Sequence, residues 1–156
     1  MADLGRPFSA SYLVRGSPPG RIFTALLDVR RFPEWAVGLR RARVLDDAGQ
    51  ETHLRPGARL EFTLSAAGLT HRVVGLITVV EAPSRLEWRY TEGARGTGGW
   101  LLQEEGPHAV RLTLATDYVI RPHWLDTLAH KPFFRALTED LLRRSVRRFE
   151  RHLHSQ

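Results

Sequence analysis

Residues 69–91 read LTHRVVGLITVVEAPSRLEWRYT, and this stretch decides the fold. Its first half is rich in β-branched residues, which favour extended backbone, so a long strand is predicted over 69–81. The tripeptide Ala82-Pro83-Ser84 then marks a turn. The second half alternates apolar and charged residues, a period of two that is typical of a strand with one buried face. The stretch therefore predicts an antiparallel hairpin.

Similar alternation continues on both sides of this hairpin. A glycine-rich turn or bulge is predicted over 93–99, between the hairpin and the next strand. The predicted strands are 8–15, 39–45, 59–65, 69–81, 85–91, 100–104 and 109–120.

Two short helices and one long helix complete the predicted elements. Ser17 is expected to cap the first short helix, and the second is expected over 31–37. Residues 123–154 are predicted to be helical apart from a break near Pro132, with an apolar stripe after the break. Because the strands and the helices are segregated along the chain, we predict an α+β fold in which the sheet buries the long helix.

Composition is compatible with one domain over residues 1–156. The apolar fraction is 42% and the charged fraction 26%, which are ordinary values for a globular protein. No stretch approaches the roughly 20 apolar residues that a membrane span needs. Residues 1–6 do not resemble a secretory signal, so a cytoplasmic location is expected. The absence of cysteine excludes disulfides and cysteine-ligated metal sites.

The net charge of +6 raises the question of a polyanionic partner. The basic residues are nearly all arginine and are spread along the chain, so a solvated surface is favoured and nucleic acid is not expected. A protein partner that uses a basic face is the alternative. The arginines of the C-terminal helix are Arg143, Arg144, Arg147, Arg148 and Arg151.

Five motifs, taken in order, resemble those of the START-like superfamily, also called SRPBCC or helix-grip. They are Ser17-Pro18-Pro19-Gly20-Arg21-Ile22-Phe23, Phe32-Pro33-Glu34-Trp35, Val80-Glu81-Ala82-Pro83-Ser84-Arg85-Leu86-Glu87-Trp88, Gly99-Trp100-Leu101-Leu102 and residues 147–153. The resemblance covers nearly the whole chain and is closest to the polyketide cyclase/dehydrase-like branch.

The resemblance implies a helix-grip fold, in which a curved antiparallel sheet of about seven strands wraps a long C-terminal helix. It also implies a cavity between sheet and helix for a lipid-, polyketide- or aromatic-like molecule, so we expect a carrier, sensor or sequestering protein. We expect a monomer, with a weak dimer as the alternative, and no cofactor. A metal is not expected either, since no tight histidine pair joins a carboxylate at ligand spacing. The residues expected to line the cavity are Trp35, Phe62, Leu64, Trp88, Tyr90, Trp100, Tyr118, Phe134, Leu137 and Leu141.

Three polar residues of the long strand are weak candidates for acid/base chemistry. Alternation sends Thr70 and Arg72 to one face and His71 to the other, and the sequence leaves open which face looks inward. An inward Arg72 would bind an enolate or carboxylate oxygen with Thr70 beside it, which resembles aromatase/cyclase members of the family. An inward His71 would act as a proton shuttle. The alternative function is therefore a metal-free cyclase, aromatase or dehydratase.

Overall fold

The computed structural model describes the backbone of residues 6–66, 68–120 and 132–155, and their side chains except at 6–8, 10, 66, 116, 118–120 and 132–142. The elements, in chain order, are β1 (Arg6–Arg15), α1 (Pro19–Leu27), a 3₁₀ helix (Val29–Glu34), β2 (Leu39–Leu45), β3 (Arg59–Ala66), β4 (Leu69–Glu81), β5 (Arg85–Glu92), β6 (Ala94–Glu104), β7 (Ala109–Ile120) and α2 (Pro132–His154).

The seven strands form one antiparallel sheet in the order β1-β7-β6-β5-β4-β3-β2. Strands β2 to β7 follow one another as a meander, while β1 pairs with β7 at the far edge. The two helical pieces between β1 and β2 carry the chain from one edge of the sheet to the other. The predicted α+β, helix-grip architecture is confirmed.

Three local predictions are wrong. The glycine-rich segment 93–99 is not a turn, because β6 already begins at Ala94, and Gly93 alone, at φ +80°, makes the turn. Ser17 does not cap α1: Pro18 occupies the cap position without a side-chain hydrogen bond. The second short helix is a 3₁₀ helix that begins at Val29 rather than Arg31. The predicted helical residues before the break at Pro132 lie outside the described residues.

The strand register identifies the face of the sheet that builds the core. Trp88 of β5 pairs with Ile77 of β4 and with Gly98 of β6, so these three residues share a face. We call it the inner face, because nearly all the deeply buried strand residues lie on it. They include Val14, Leu60, Ile77, Leu86, Trp88, Leu102, Val110 and Leu112.

The helices cover part of the inner face. Phe149 and Leu153 of α2 are almost completely buried in the same cluster as these strand residues. Burying a side chain of this size stabilises the fold by about 1.5–3 kcal/mol. A hydrogen bond also ties α2 to the segment after the 3₁₀ helix, since the Val37 amide donates to Ser145 Oγ at 2.8 Å. The C-terminal half of α2 is thus fixed against the sheet.

Candidate functional site

The inner face is not uniformly buried, because some of its residues keep part of their surface exposed. Leu102 and Leu112 pair across β6 and β7 and are 6% and 2% exposed. The next inner pair on the same strands, Trp100 and Leu114, is only half-buried, as is Tyr90 of β5. Inner side chains retain exposure only where no other group covers them. Part of the surface of these three residues therefore remains open to solvent.

The exposure continues towards β3. Phe62 is half-buried, and Leu64, two residues further along, is 41% exposed although both lie on the inner face. Phe62 stacks on Phe32 of the 3₁₀ helix with ring centroids 6.2 Å apart. The aromatic and aliphatic character of this surface suits an apolar ligand.

Trp88 lies flat on the inner face because two glycines leave room for its ring. A Cβ added to Gly98 would come within 2.7 Å of the indole Nε1 and Cε2, and one added to Gly75 within 3.3 Å of Cδ1. Tyr90 meets the indole edge to face at 6.5 Å. The indole Nε1 is closed to water and has no hydrogen-bond acceptor in the described part of the chain.

Trp35 lies at the end of the 3₁₀ helix, within an aromatic cluster. Its ring centroid is 4.9 Å from that of Phe32 and 4.6 Å from that of Phe149 on α2. Its Nε1 is also buried without an acceptor among the residues whose side chains are described. The cluster joins α2 to the edge of the sheet, so Trp35 has a packing role on this evidence.

The register separates the three polar candidates. His71 pairs with Leu64 and lies on the inner face, where its Nε2 donates to the Gly93 carbonyl at 2.7 Å. Thr70 and Arg72 lie on the outer face and are exposed. The condition under which Arg72 would bind an enolate in the cavity is therefore not met, and of the three only His71 faces inward.

Arg72 instead belongs to an ion-pair network on the outer face. Its guanidinium lies 2.8 Å from both Glu61 and Glu92, and Arg43 lies 2.7 Å from Glu61. Burial alone would raise the pKa of Glu61, but hydrogen bonds from Arg72 and Arg43 outweigh it and lower that pKa. The network links β2, β3, β4 and β5 and has a structural role.

Four of the predicted lining residues cannot be placed by their side chains. Tyr118 pairs with Gly96 and so occupies an inner backbone position, but its side chain lies outside the described residues. The side chains of Phe134, Leu137 and Leu141 on α2 lie outside them as well. Conversely, sequence reasoning missed Leu114, although its alternation with Leu112 along β7 could have revealed it.

A groove of about 720 Å³ lies along the outer face of β1 and β5–β7. Its lining mixes charged and small polar residues, among them Arg85, Glu87, Thr97 and Asp117. Asp117 is exposed on this outer face, as its alternation with Arg111 and Thr113 predicts. Trp88, Trp100 and Leu101 also line the groove, so most of its surface is apolar. It lies on the outer face, however, and so outside the cavity predicted between sheet and helix.

The described residues contain neither a helix suited to span a membrane nor a metal-binding group. None of the described helices combines the length and the apolar character needed to cross a membrane. The described side chains form no group of three metal-ligating residues.

Comparison with known proteins identifies the family. Residues 8–154 match the sequence model of the family described as polyketide cyclase / dehydrase and lipid transport. Because this match spans nearly the whole chain, the protein belongs to that family, whose fold binds small hydrophobic ligands. A search of curated proteins finds no match.

Solved structures with the same fold share little sequence with this chain. The Zhui aromatase/cyclase from Streptomyces sp. R1128 is 12% identical with a TM-score of 0.73, over 96% of this chain and 93% of that one. A protein from Thermus thermophilus is 18% identical with a TM-score of 0.70, over 96% and 98%. A START superfamily protein from Mycobacterium smegmatis is 13% identical with a TM-score of 0.69, over 97% and 99%. At these identities the likeness concerns the fold alone.

Proposed function

We propose that this protein binds a small hydrophobic molecule between the inner face of the sheet and α2, and acts as a carrier, sensor or sequestering protein. The observation that carries the proposal is the residual exposure of Tyr90, Trp100 and Leu114 beside almost fully buried residues of the same face. When a ligand covers the remaining exposed surface of large apolar side chains, that surface is removed from water, which lowers the free energy of the complex. Family membership supports the same function.

The first experiment is native mass spectrometry of the protein purified from its own host, followed by extraction and identification of any bound molecule. We expect an apolar molecule at a ratio of one per chain. A protein that is well folded and empty, and that binds neither fluorene nor fluorenone in solution, would contradict the proposal.

Two matched substitutions test where the ligand lies. Leu114→Trp adds volume where the inner face borders open space, so we expect weaker fluorenone binding with little loss of stability. Leu112→Trp adds the same volume at a position that is 2% exposed, where overpacking costs about 1–3 kcal/mol. Equal destabilisation of the two variants in urea unfolding would show that no space adjoins Leu114, and would refute this placement.

The second candidate is a dehydratase or cyclase, and the inward position of His71 favours it. Because Nε2 donates to Gly93, the neutral ring presents Nδ1 as an acceptor that is able to take a proton. In a dehydration, Nδ1 would remove the proton from the carbon next to a ketone. The imidazolium formed in this way would return the proton to the β-hydroxyl, which leaves as water while the carbon–carbon double bond forms, giving a conjugated enone.

Absorbance of the enone formed from a cyclic β-hydroxy ketone measures this activity. We expect His71→Gln to lower the rate about a hundredfold, and His53→Gln, at an exposed loop position, to leave it unchanged. No turnover by the unmodified protein, or equal rates in the two variants, would remove His71 from the reaction.

A further inference from the structure

We propose that the indole N–H of Trp88 is the polar anchor of the ligand, and that this ligand is an apolar molecule bearing a neutral carbonyl oxygen. The inference rests on the proposed function, because it assigns one contact inside the proposed ligand space. It adds one requirement: the ligand must be apolar and must also carry a hydrogen-bond acceptor.

The first observation is a buried donor without an acceptor. Trp88 is 7% exposed, and its Nε1 is closed to solvent and donates to no described protein group. Leaving a buried donor unsatisfied costs free energy that a phenylalanine at this position would avoid. Gly75 and Gly98 make room for the flat ring, but a ring without an N–H would fit in the same space above these glycines.

The second observation is the residual exposure of two aromatic neighbours of this ring. Tyr90, which contacts the indole edge to face, and Trp100, on the neighbouring strand, are both half-buried on the inner face. A ligand bound against these two residues would lie next to the indole, and the proposal requires a side-chain movement that uncovers Nε1. Its oxygen would then supply the acceptor that the protein lacks.

The third observation concerns charge. Inner positions across the middle of β5, β6 and β7 carry no charged side chain. They are Leu86, Trp88, Tyr90, Gly96, Gly98, Trp100, Leu102, Leu112 and Leu114, and the first charged inner residue beyond them is the exposed Glu104 at the end of β6. A carboxylate bound there would find no counter-charge on the described side chains of these three strands, and burying an unpaired charge is costly. A ketone or quinone oxygen accepts a hydrogen bond without that penalty, so the neutral carbonyl is the favoured group.

Trp35 provides an internal control. It is 6% exposed and its Nε1 is likewise without an acceptor in the described structure, so it matches Trp88 in burial and in hydrogen bonding. Its ring, however, is packed between Phe32 and Phe149, two buried side chains. Removing this N–H should therefore leave ligand selectivity unchanged.

The test compares fluorenone with fluorene, two tricyclic molecules that differ by one carbonyl, by isothermal titration calorimetry. We expect the unmodified protein to bind fluorenone about tenfold more tightly, the value of one hydrogen bond. Trp88→Phe should abolish this ratio by weakening fluorenone alone, and Trp35→Phe should preserve it. An unchanged ratio in Trp88→Phe would overturn the proposal.

The possible outcomes distinguish a failure of the Trp88 anchor from a failure of the proposed ligand binding. Equal binding of both probes by the unmodified protein refutes the anchor but leaves hydrophobic binding intact, whereas binding of neither contradicts the proposed function itself. If Trp88→Phe does not fold, the infrared carbonyl band of fluorenone bound to the unmodified protein decides the matter. A band below its frequency in hydrocarbon solvent supports the hydrogen bond, and a band at that frequency overturns it.

Discussion

Gly98→Ala tests whether the sheet is built around the ring of Trp88. The new Cβ would lie 2.7 Å from Nε1 and Cε2 and 2.8 Å from Cζ2, about 1 Å inside ordinary carbon contacts. Overpacking of this kind costs about 1–3 kcal/mol, offset by about 0.4–1 kcal/mol from the stiffer unfolded chain. We expect a net loss of about 1–2 kcal/mol.

Urea unfolding measures this loss, and a control isolates its cause. Gly20→Ala makes the same chemical change in α1, where no atom lies within 4 Å of the new Cβ, and should be neutral or stabilising. In a Trp88→Leu background the loss at Gly98 should largely disappear, because the clashing ring is gone. The reasoning is refuted if Gly98→Ala is as mild as Gly20→Ala, or if its cost is the same in the Trp88→Leu background as in the unmodified protein.

Two further predictions concern polar contacts. Glu61→Gln removes the carboxylate that Arg43 and Arg72 share, and we expect a loss of about 1–3 kcal/mol in urea unfolding, between the exposed and buried limits for ion pairs. Since the pKa of Glu61 is lowered by folding, its contribution is fully present above the unfolded pKa of about 4.3 and is lost as the pH falls through the folded pKa. Ser145→Ala leaves the Val37 amide without its acceptor and should cost about 1–3 kcal/mol in the same measurement.

Each of these predictions has a matched control. Glu105→Gln breaks an exposed pair with Arg111 and should change stability less than Glu61→Gln does. Ser155→Ala, at an exposed position, should be nearly neutral. The linkage would be contradicted if the difference in free energy of unfolding between Glu61→Gln and the unmodified protein stayed the same from neutral pH to about pH 3. Equal effects of the two serine substitutions would contradict the role of Ser145.

The sheet could be predicted from the sequence where side-chain alternation was strong. The bounds of 39–45, 69–81 and 109–120 coincide with those of β2, β4 and β7, because β-branched and alternating residues dominate there. The start of β6 could not be predicted. Glycine usually weakens a strand, and the local sequence does not reveal that Gly98 is needed to accommodate a ring from the neighbouring strand.

The site was harder to predict than the sheet because apolar residues lie on both sides of β4. Val73 and Ile77 compete with Val74 and Leu76 for the inner face, so the direction of His71 depends on pairing with β3, which is not a local property. The prediction that Ser17 caps α1 is wrong because the helix begins one residue later than expected. Its hydroxyl is buried without a partner in the described structure, while Pro18 takes the cap position.

The pairing of β1 with β7 has a consequence for how the chain folds. Strands β2 to β7 each pair with a neighbour in sequence, so their contacts close short loops. By contrast, the hydrogen bond between Ser11 and Thr113 joins residues 102 positions apart. Loop-closure entropy grows with the length of chain enclosed, so the pairing of β1 with β7 is the costliest of the sheet to form first. We expect the meander to assemble as an early unit and β1 to dock onto β7 in the final step, completing the sheet only after the rest of the chain is available.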